Sequence, residues 1–277
     1  MRKLLISITA LSFMVGMPLL AQASPESDKK AFQGYFMKRF PGTAFEDFVN
    51  GVYSVDPMSR EQWEAIEEFP PYEIAIDEGQ GIFETPFKNG KTYASCFPND
   101  GIGVRNQYPY FDTERGEVVT LALAINECRI KNGEKPLKYK KGKLAAISAY
   151  MAYTTRGKQT DIKIPNKAAE AAYEDGKQFF YARRGQLNIS CAHCHVDNSG
   201  NRIRADILSP ALGHLSHFPV YRSKWGGLGT VHRRFGGCNK QVRAKPFKAQ
   251  SKEYKNLEYF LTYMGNGLTW NGPGVRK

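Results

Sequence analysis

Outside its N-terminus the chain has no apolar run approaching the ~20 residues that span a bilayer, which excludes a multispanning membrane protein. It also lacks the low apolar content of a disordered chain, the glycine period of collagen and the cysteine density of a disulfide-stapled miniprotein. Hydrophobic residues are 42%, charged residues 24%, and cysteines number five in 277. No second Cys/His pair stands at the spacing of a zinc site, and none of the recognised nucleic-acid-binding signatures is present. What remains is a globular chain, read as soluble and long enough for one large domain or two of ordinary size.

Two further scarcities are local. Residues 43–80 hold ten acids and one base, Arg60, while residues 201–248 hold ten bases and one acid, Asp206. A basic lobe of that kind attracts small anions or an acidic partner and raises encounter rates. At the N-terminus, Arg2 and Lys3 precede an apolar run from Leu4 to Leu20, and Ala21-Gln22-Ala23 offers small residues for cleavage. Residues 1–23 therefore read as a secretory signal peptide. Its removal predicts a periplasmic protein with no membrane span, a poor setting for nucleic acid.

Export makes an odd cysteine count informative, because an oxidising compartment pairs or uses its thiols. Cys191-Ala192-His193-Cys194-His195 is a C-x-x-C-H motif, the attachment signature of haem c. Sulfurs three residues apart share one face of a helical turn and can form thioethers to two vinyl groups, while the following His195 ligates iron. Cys96, Cys128 and Cys238 are left.

An internal repeat sorts them. At an offset of 110, Pro109 matches Pro219, Phe111 matches Tyr221, Gly116 matches Gly226, Thr120 matches Thr230 and Cys128 matches Cys238. Lys135-Pro136 likewise matches Lys245-Pro246, and Tyr150-Met151 resembles Tyr263-Met264 after a three-residue slip. Ser95-Cys96 stands where the second copy has Ser190-Cys191, without the second cysteine or the histidine. The pattern predicts two related lobes, only the C-terminal one carrying haem. Cys96 and Cys128 are then natural disulfide partners, and Cys238 faces the haem as candidate distal ligand. Met264, Met151, His214, His217 and His232 are the alternatives. The methionines read as packing residues and the histidines as surface or supporting ones.

The remaining apolar spacing predicts helices over Arg60 to Glu68, Glu117 to Ile130, Gly142 to Gly157, Lys167 to Arg184 and Lys252 to Met264. The expected fold is all-α and loop-rich, with two cytochrome c-like lobes. An N-terminal extension and haem-free lobe would span 24–158, and a haem-binding lobe 159–277. In Val231-His232-Arg233-Arg234-Phe235-Gly236-Gly237-Cys238, the glycines permit a sharp turn or close approach to a flat ring. Arg234 would lower the thiol pKa and offer a fork to an oxyanion, which suits a small sulfur-bearing divalent anion.

The pairing of Ser-Cys-x-x-Cys-His with a downstream Arg-Arg-Phe-x-x-Cys-Asn, after a haem-free copy holding Cys96 and Cys128, resembles the SoxA family. These are the catalytic c-type cytochrome subunits of SoxAX complexes in sulfur oxidation. The resemblance implies an L-cysteine S-thiosulfotransferase that pairs with a smaller cytochrome, SoxX. Such an enzyme attaches thiosulfate oxidatively to a cysteine of the carrier SoxYZ and passes two electrons to cytochrome c. It further implies that Cys191 and Cys194 attach haem and that His195 and Cys238 are the axial ligands. Cys238 would also be a catalytic residue open to persulfide modification, and Arg234 would bind thiosulfate. Lacking the first haem motif, the chain resembles the single-haem form.

Overall fold

Short polar caps and 3.6-residue apolar spacing set eight α-helices among residues 24–276, which the computed structural model describes. The signal peptide predicted over 1–23 lies outside these residues. The helices are α1 (Pro25–Arg39), α2 (Pro57–Glu67), α3 (Glu73–Glu84), α4 (Leu121–Lys131), α5 (Lys143–Tyr153), α6 (Lys167–Tyr181), α7 (Val231–Gln241) and α8 (Lys252–Met264). Ser24, Asp56, Thr120 and Asn166 each accept a backbone N–H of the first turn, starting α1, α2, α4 and α6.

The all-α expectation needs amending. Short strands form three small sheets: β1 (Tyr110–Asp112) with β2 (Glu117–Val119), β3 (Arg202–Ile203) with β4 (Asp206–Ile207), and β5 (Val220–Arg222) between β6 (Gly227–Gly229) and β7 (Gly274–Arg276). The helix expected from Glu117 starts at Leu121, because Glu117–Val119 pairs as β2 and Thr120 is the cap. Those expected to reach Gly157 and Arg184 end at Tyr153 and Tyr181, and Lys252 to Met264 is helical throughout. Helices α1, α3 and α7 were not expected. In α7, Gly236-Gly237 sits inside the helix with ordinary φ instead of making a sharp turn.

Two units repeat the same order of elements. The β1–β2 hairpin leads through Thr120 into α4, and the β5–β6 hairpin leads through Thr230 into α7, at an offset of 110. In the first unit α3 crosses α5, and in the second α6 crosses α8. Each crossing is tight because a glycine lies against a carbonyl. A Cβ on Gly79 would stand 2.0 Å from Ala146 O, and one on Gly176 would stand 2.1 Å from Asn256 O. Ala146 and Asn256 are again 110 residues apart, so in this register Tyr263-Met264 does not correspond to Tyr150-Met151. The three-residue slip in the sequence alignment is not what the helices do.

The two units are filled differently. In the first, Phe83, Phe87, Tyr93, Phe97 and Tyr108 close around Cys128 and Met151. The Cys96–Cys128 disulfide lies at this core, with an S–S length of 2.06 Å and a Cα–Cα distance of 5.7 Å. Met264 is buried in the second core, together with Tyr173, Phe180 and Phe260. Phe32 and Phe36 of α1 join that second core, so the start of the N-terminal extension packs on the C-terminal unit. No helix among the described residues is long and apolar enough to cross a membrane.

Two outcomes follow. Replacing Cys96 and Cys128 by serine releases a link across 32 residues and should cost about 3–4 kcal/mol in denaturant unfolding. Gly176→Ala should lower stability by about 1–3 kcal/mol or more through overpacking, although alanine favours helix at an open site. A thermal midpoint equal to the parent's would mean that α6 and α8 separate freely.

Candidate functional site

The C-x-x-C-H segment begins α-helical at Cys191 and widens into a π-type turn over His193–Asp197. Ser190 ties it down: its Oγ accepts the His193 backbone N–H at 3.2 Å and lies 2.7 Å from His193 Nδ1. His195 is held from the other side. Its Nδ1–H donates to Ser209 O at 2.9 Å, and its own carbonyl accepts from Ala211 N at 2.9 Å. This fixes the ring and turns Nε2 toward Cys238, the orientation a metal-ligating imidazole requires.

Cys238, near the end of α7, meets His195 directly, and the two side chains are hydrogen-bonded. Burial pushes the Cys238 thiol up. The Arg234 guanidinium, the His195 bond and the Arg222 charge outweigh it and leave the thiol lowered to about 7. Cys191 and Cys194 feel Cys238 as well, and burial drives Cys191 up to about 12 and Cys194 upward. Among the three free thiols of the described residues, Cys238 is the one shifted downward.

Cations gather at the same place. Arg234 stands one turn before Cys238 on α7, and neither Arg234 nor Arg222 has an acidic ion-pair partner among the described residues. Burial and then the Arg234 charge lower Arg222 to about 10. Arg222 Nε is buried without a hydrogen-bond partner. Arg184 adds a charge near Cys191, and Arg233 lies over the Trp225 ring at 4.2 Å.

The chemistry of the donor set fits a covalently attached haem: two thiols and an anchored imidazole on one turn, with a thiolate opposite. Gly237, beside Cys238, leaves open space where a Cβ would stand, with nothing within 4 Å. Of the alternative distal ligands, Met151 belongs to the other unit's core, and His217 and His232 are buried at 6% and 1% exposure, not surface residues. His214 packs edge-on against His195 with centroids 4.4 Å apart. Burial and the neighbouring His195 and Arg234 charges hold His214 well below the usual imidazole range. Ser209 and Arg222 escaped the sequence reading, and His214 entered it only as an alternative distal ligand. Ser209 acts through a backbone carbonyl and leaves no side-chain signal, whereas Arg222 was visible only as one base among ten.

Comparison with known proteins gives concordant results. A family model described as the SoxA/TsdA cytochrome c domain matches residues 78–160, the stretch that lacks the C-x-x-C-H motif. The chain is 58% identical over 257 residues to the L-cysteine S-thiosulfotransferase subunit SoxA of Allochromatium vinosum, covering 92% of this chain and 91% of that one. It is 58% identical over 256 residues to the same subunit of Chlorobaculum thiosulfatiphilum, with coverages of 92% and 89%. Among solved structures, SoxXA from P. pantotrophus matches with a TM-score of 0.73 at 32% identity, covering 81% of this chain and 86% of that chain.

Proposed function

The chain belongs to the SoxA family of L-cysteine S-thiosulfotransferase subunits, and from that membership we propose that thiosulfate is joined to a protein cysteine at Cys238. The transferase role is that of the family. What supports its location is one observation: the half-buried Cys238 is lowered to about 7 by Arg234, His195 and Arg222, although burial acts to raise it. A buried thiol with no task would be pushed up, as Cys191 is.

Cys191, Cys194, His195 and Cys238 are the residues that would hold one haem c. When bound, the haem supplies a one-electron acceptor beside a reactive sulfur. The chain's own residues do the rest. Arg234 binds the sulfonate end of thiosulfate through its planar fork, and Arg222 adds to the field. The sulfane sulfur forms an S–S bond with the Cys238 thiolate as two electrons leave toward an electron-accepting cytochrome c. The carrier cysteine, as thiolate, then attacks the sulfane sulfur. The bond to Cys238 breaks, Cys238 departs as thiolate, and the carrier keeps the thiosulfonate group.

The two units read as duplicated cytochrome c-like lobes, the first (within 24–158) haem-free and the second (159–277) haem-bearing. The partner subunit is a small SoxX-type cytochrome, the carrier is of the SoxYZ type, and the compartment is the periplasm. The exposed bases Arg202, Arg204, Lys224, Lys240 and Lys245 form a surface suited to an acidic carrier.

Cys238→Met should keep one haem by intact mass and lose transfer of thiosulfate to a carrier thiol. Persistent transfer with haem intact would favour a plain electron-transfer cytochrome in which Cys238 is an inert ligand. Arg234→Lys keeps the charge but not the fork and should lower kcat/KM for thiosulfate about 10- to 100-fold. An unchanged value would remove Arg234 from the substrate site.

A further inference from the structure

Helix α7 begins unusually. Its counterpart α4 is capped in the ordinary way, Thr120 Oγ1 accepting the Leu123 N–H at 3.1 Å. Thr230, at the equivalent place, makes no such cap. Its hydroxyl turns away and donates to Tyr139 O at 2.9 Å, and its N–H donates to Lys140 O at 3.2 Å. Both acceptors belong to the α3–α5 unit. A threonine cap stabilises a helix start, and α7 exchanges it for a grip on the other unit.

Two residues on, at the position equivalent to Ala122, stands His232, 1% exposed. Its Nδ1 accepts the Gln250 backbone N–H at 3.0 Å, so the proton of the neutral ring is on Nε2. Glu258 Oε2 of α8 lies 3.1 Å from Nε2, off the axis of that N–H, which makes the contact an ion–dipole one and not a formed hydrogen bond. The other Glu258 oxygen lies 3.4 Å from Arg105 Nη2. Arg105 belongs to the first unit; it is 4% exposed, donates to Tyr108 O at 2.6 Å and stacks on the Trp270 ring at 4.3 Å. Reciprocally, Thr120 Oγ1 donates to Gln250 Oε1 at 2.8 Å. The start of α7 is therefore tied to the other unit by Thr230 directly and by His232 through Glu258 and Arg105.

We propose that the unit lacking the haem motif serves as the jig for α7, with His232 and Glu258 as positioning residues for Cys238 and Arg234. The inference rests on the reading of those two residues as the reacting site. Arg234 lies two residues beyond His232 and Cys238 six beyond it on one rigid helix. Each residue of axial slip or rotation moves a side chain by about 1.5 Å and 100°. A misplacement of about 1 Å at a reacting centre costs up to about 100-fold in rate. At its far end α7 is hydrogen-bonded within its own unit among the described residues, Asn239 Nδ2 donating to the Tyr254 hydroxyl at 2.8 Å. The direction of the helix is thus decided at its start. A disulfide-closed, aromatic-filled first unit with no cofactor of its own gives a stiff reference for that purpose.

The test uses the holoprotein with its partner subunit and three variants. His232→Phe keeps a ring of similar size without the polar tie, and Thr230→Val removes only the hydroxyl bond to Tyr139, a change too small to prevent folding. Electron paramagnetic resonance of the low-spin haem reads the setting of α7 whether or not the protein turns over, so a displaced helix and a misassigned reaction site are told apart. For His232→Phe the expected result is more than one low-spin species and a kcat lowered about tenfold, with KM for thiosulfate changed less than about twofold. Thr230→Val should shift both readouts the same way by a smaller factor, and His232→Gln, whose amide nitrogen comes near the place of Nε2 and can still reach Glu258, should restore a single species. A single parental spectrum and parental kcat in the variants, with only the thermal midpoint lowered, would reduce the contacts to a buried fastening and overturn the proposal. If His232→Phe does not assemble, Thr230→Val decides.

Discussion

Burial and positive charge act on the Cys238 sulfur in opposite directions, and the rest of the structure serves that balance. A thiol removed from water resists ionisation, and only fixed cations close at hand reverse the sign. Arg234 on the same helix, Arg222 on the neighbouring strand and His195 on the opposing turn do so together. None of them is neutralised by an acidic ion pair among the described residues. The cost is a concentration of like charge, seen in the lowering of Arg222 by burial and by Arg234. Such a site is unfavourable as plain architecture and suits a doubly charged anion.

Holding that balance requires two chain segments to converge from a distance. The C-x-x-C-H turn is set by α6 and anchored through Ser209 O. Helix α7 arrives from a separate hairpin and is steered by the neighbouring unit. The tight crossing of α6 and α8, glycine against carbonyl, fixes the floor on which both rest. The same crossing recurs in the first unit between α3 and α5. There the place corresponding to the haem-motif cysteine and Cys238 holds the Cys96–Cys128 disulfide amid aromatic rings. Phe83, Phe87, Tyr93 and Phe97 pack around it as a closed core. Close packing makes such a core stiff.

The chain's legibility varied by the range of the interaction. The C-x-x-C-H motif, the disulfide pair and the repeat at an offset of 110 are local or self-similar patterns, and all were readable as strings. Lys252 to Met264 was readable too, since its apolar spacing persists over the whole helix. Helix α7 was not expected, because its basic residues and paired glycines carry no clear apolar stripe; tertiary contacts hold it. The β2 strand was absorbed into the following helix because three residues are too few for period-2 alternation to be distinguished from a helix start. Met264 was aligned with Met151 by letter identity, and only the helix crossings show the true register.

By itself the sequence determined the chemistry available: which thiols are adjacent to a histidine, which cysteine repeats without one, and where bases outnumber acids. These follow from covalent order and composition, which no folding alters. The tertiary structure alone decided that Cys238 faces His195, that Ser209 fixes the imidazole, that Arg222 joins Arg234, and that Arg105 reaches Glu258 across the two units. Each is a contact between residues far apart in the chain, made by backbone carbonyls or side chains whose partners are chosen by packing. A contact of that kind exists only once α6, α7 and α8 have found their crossings.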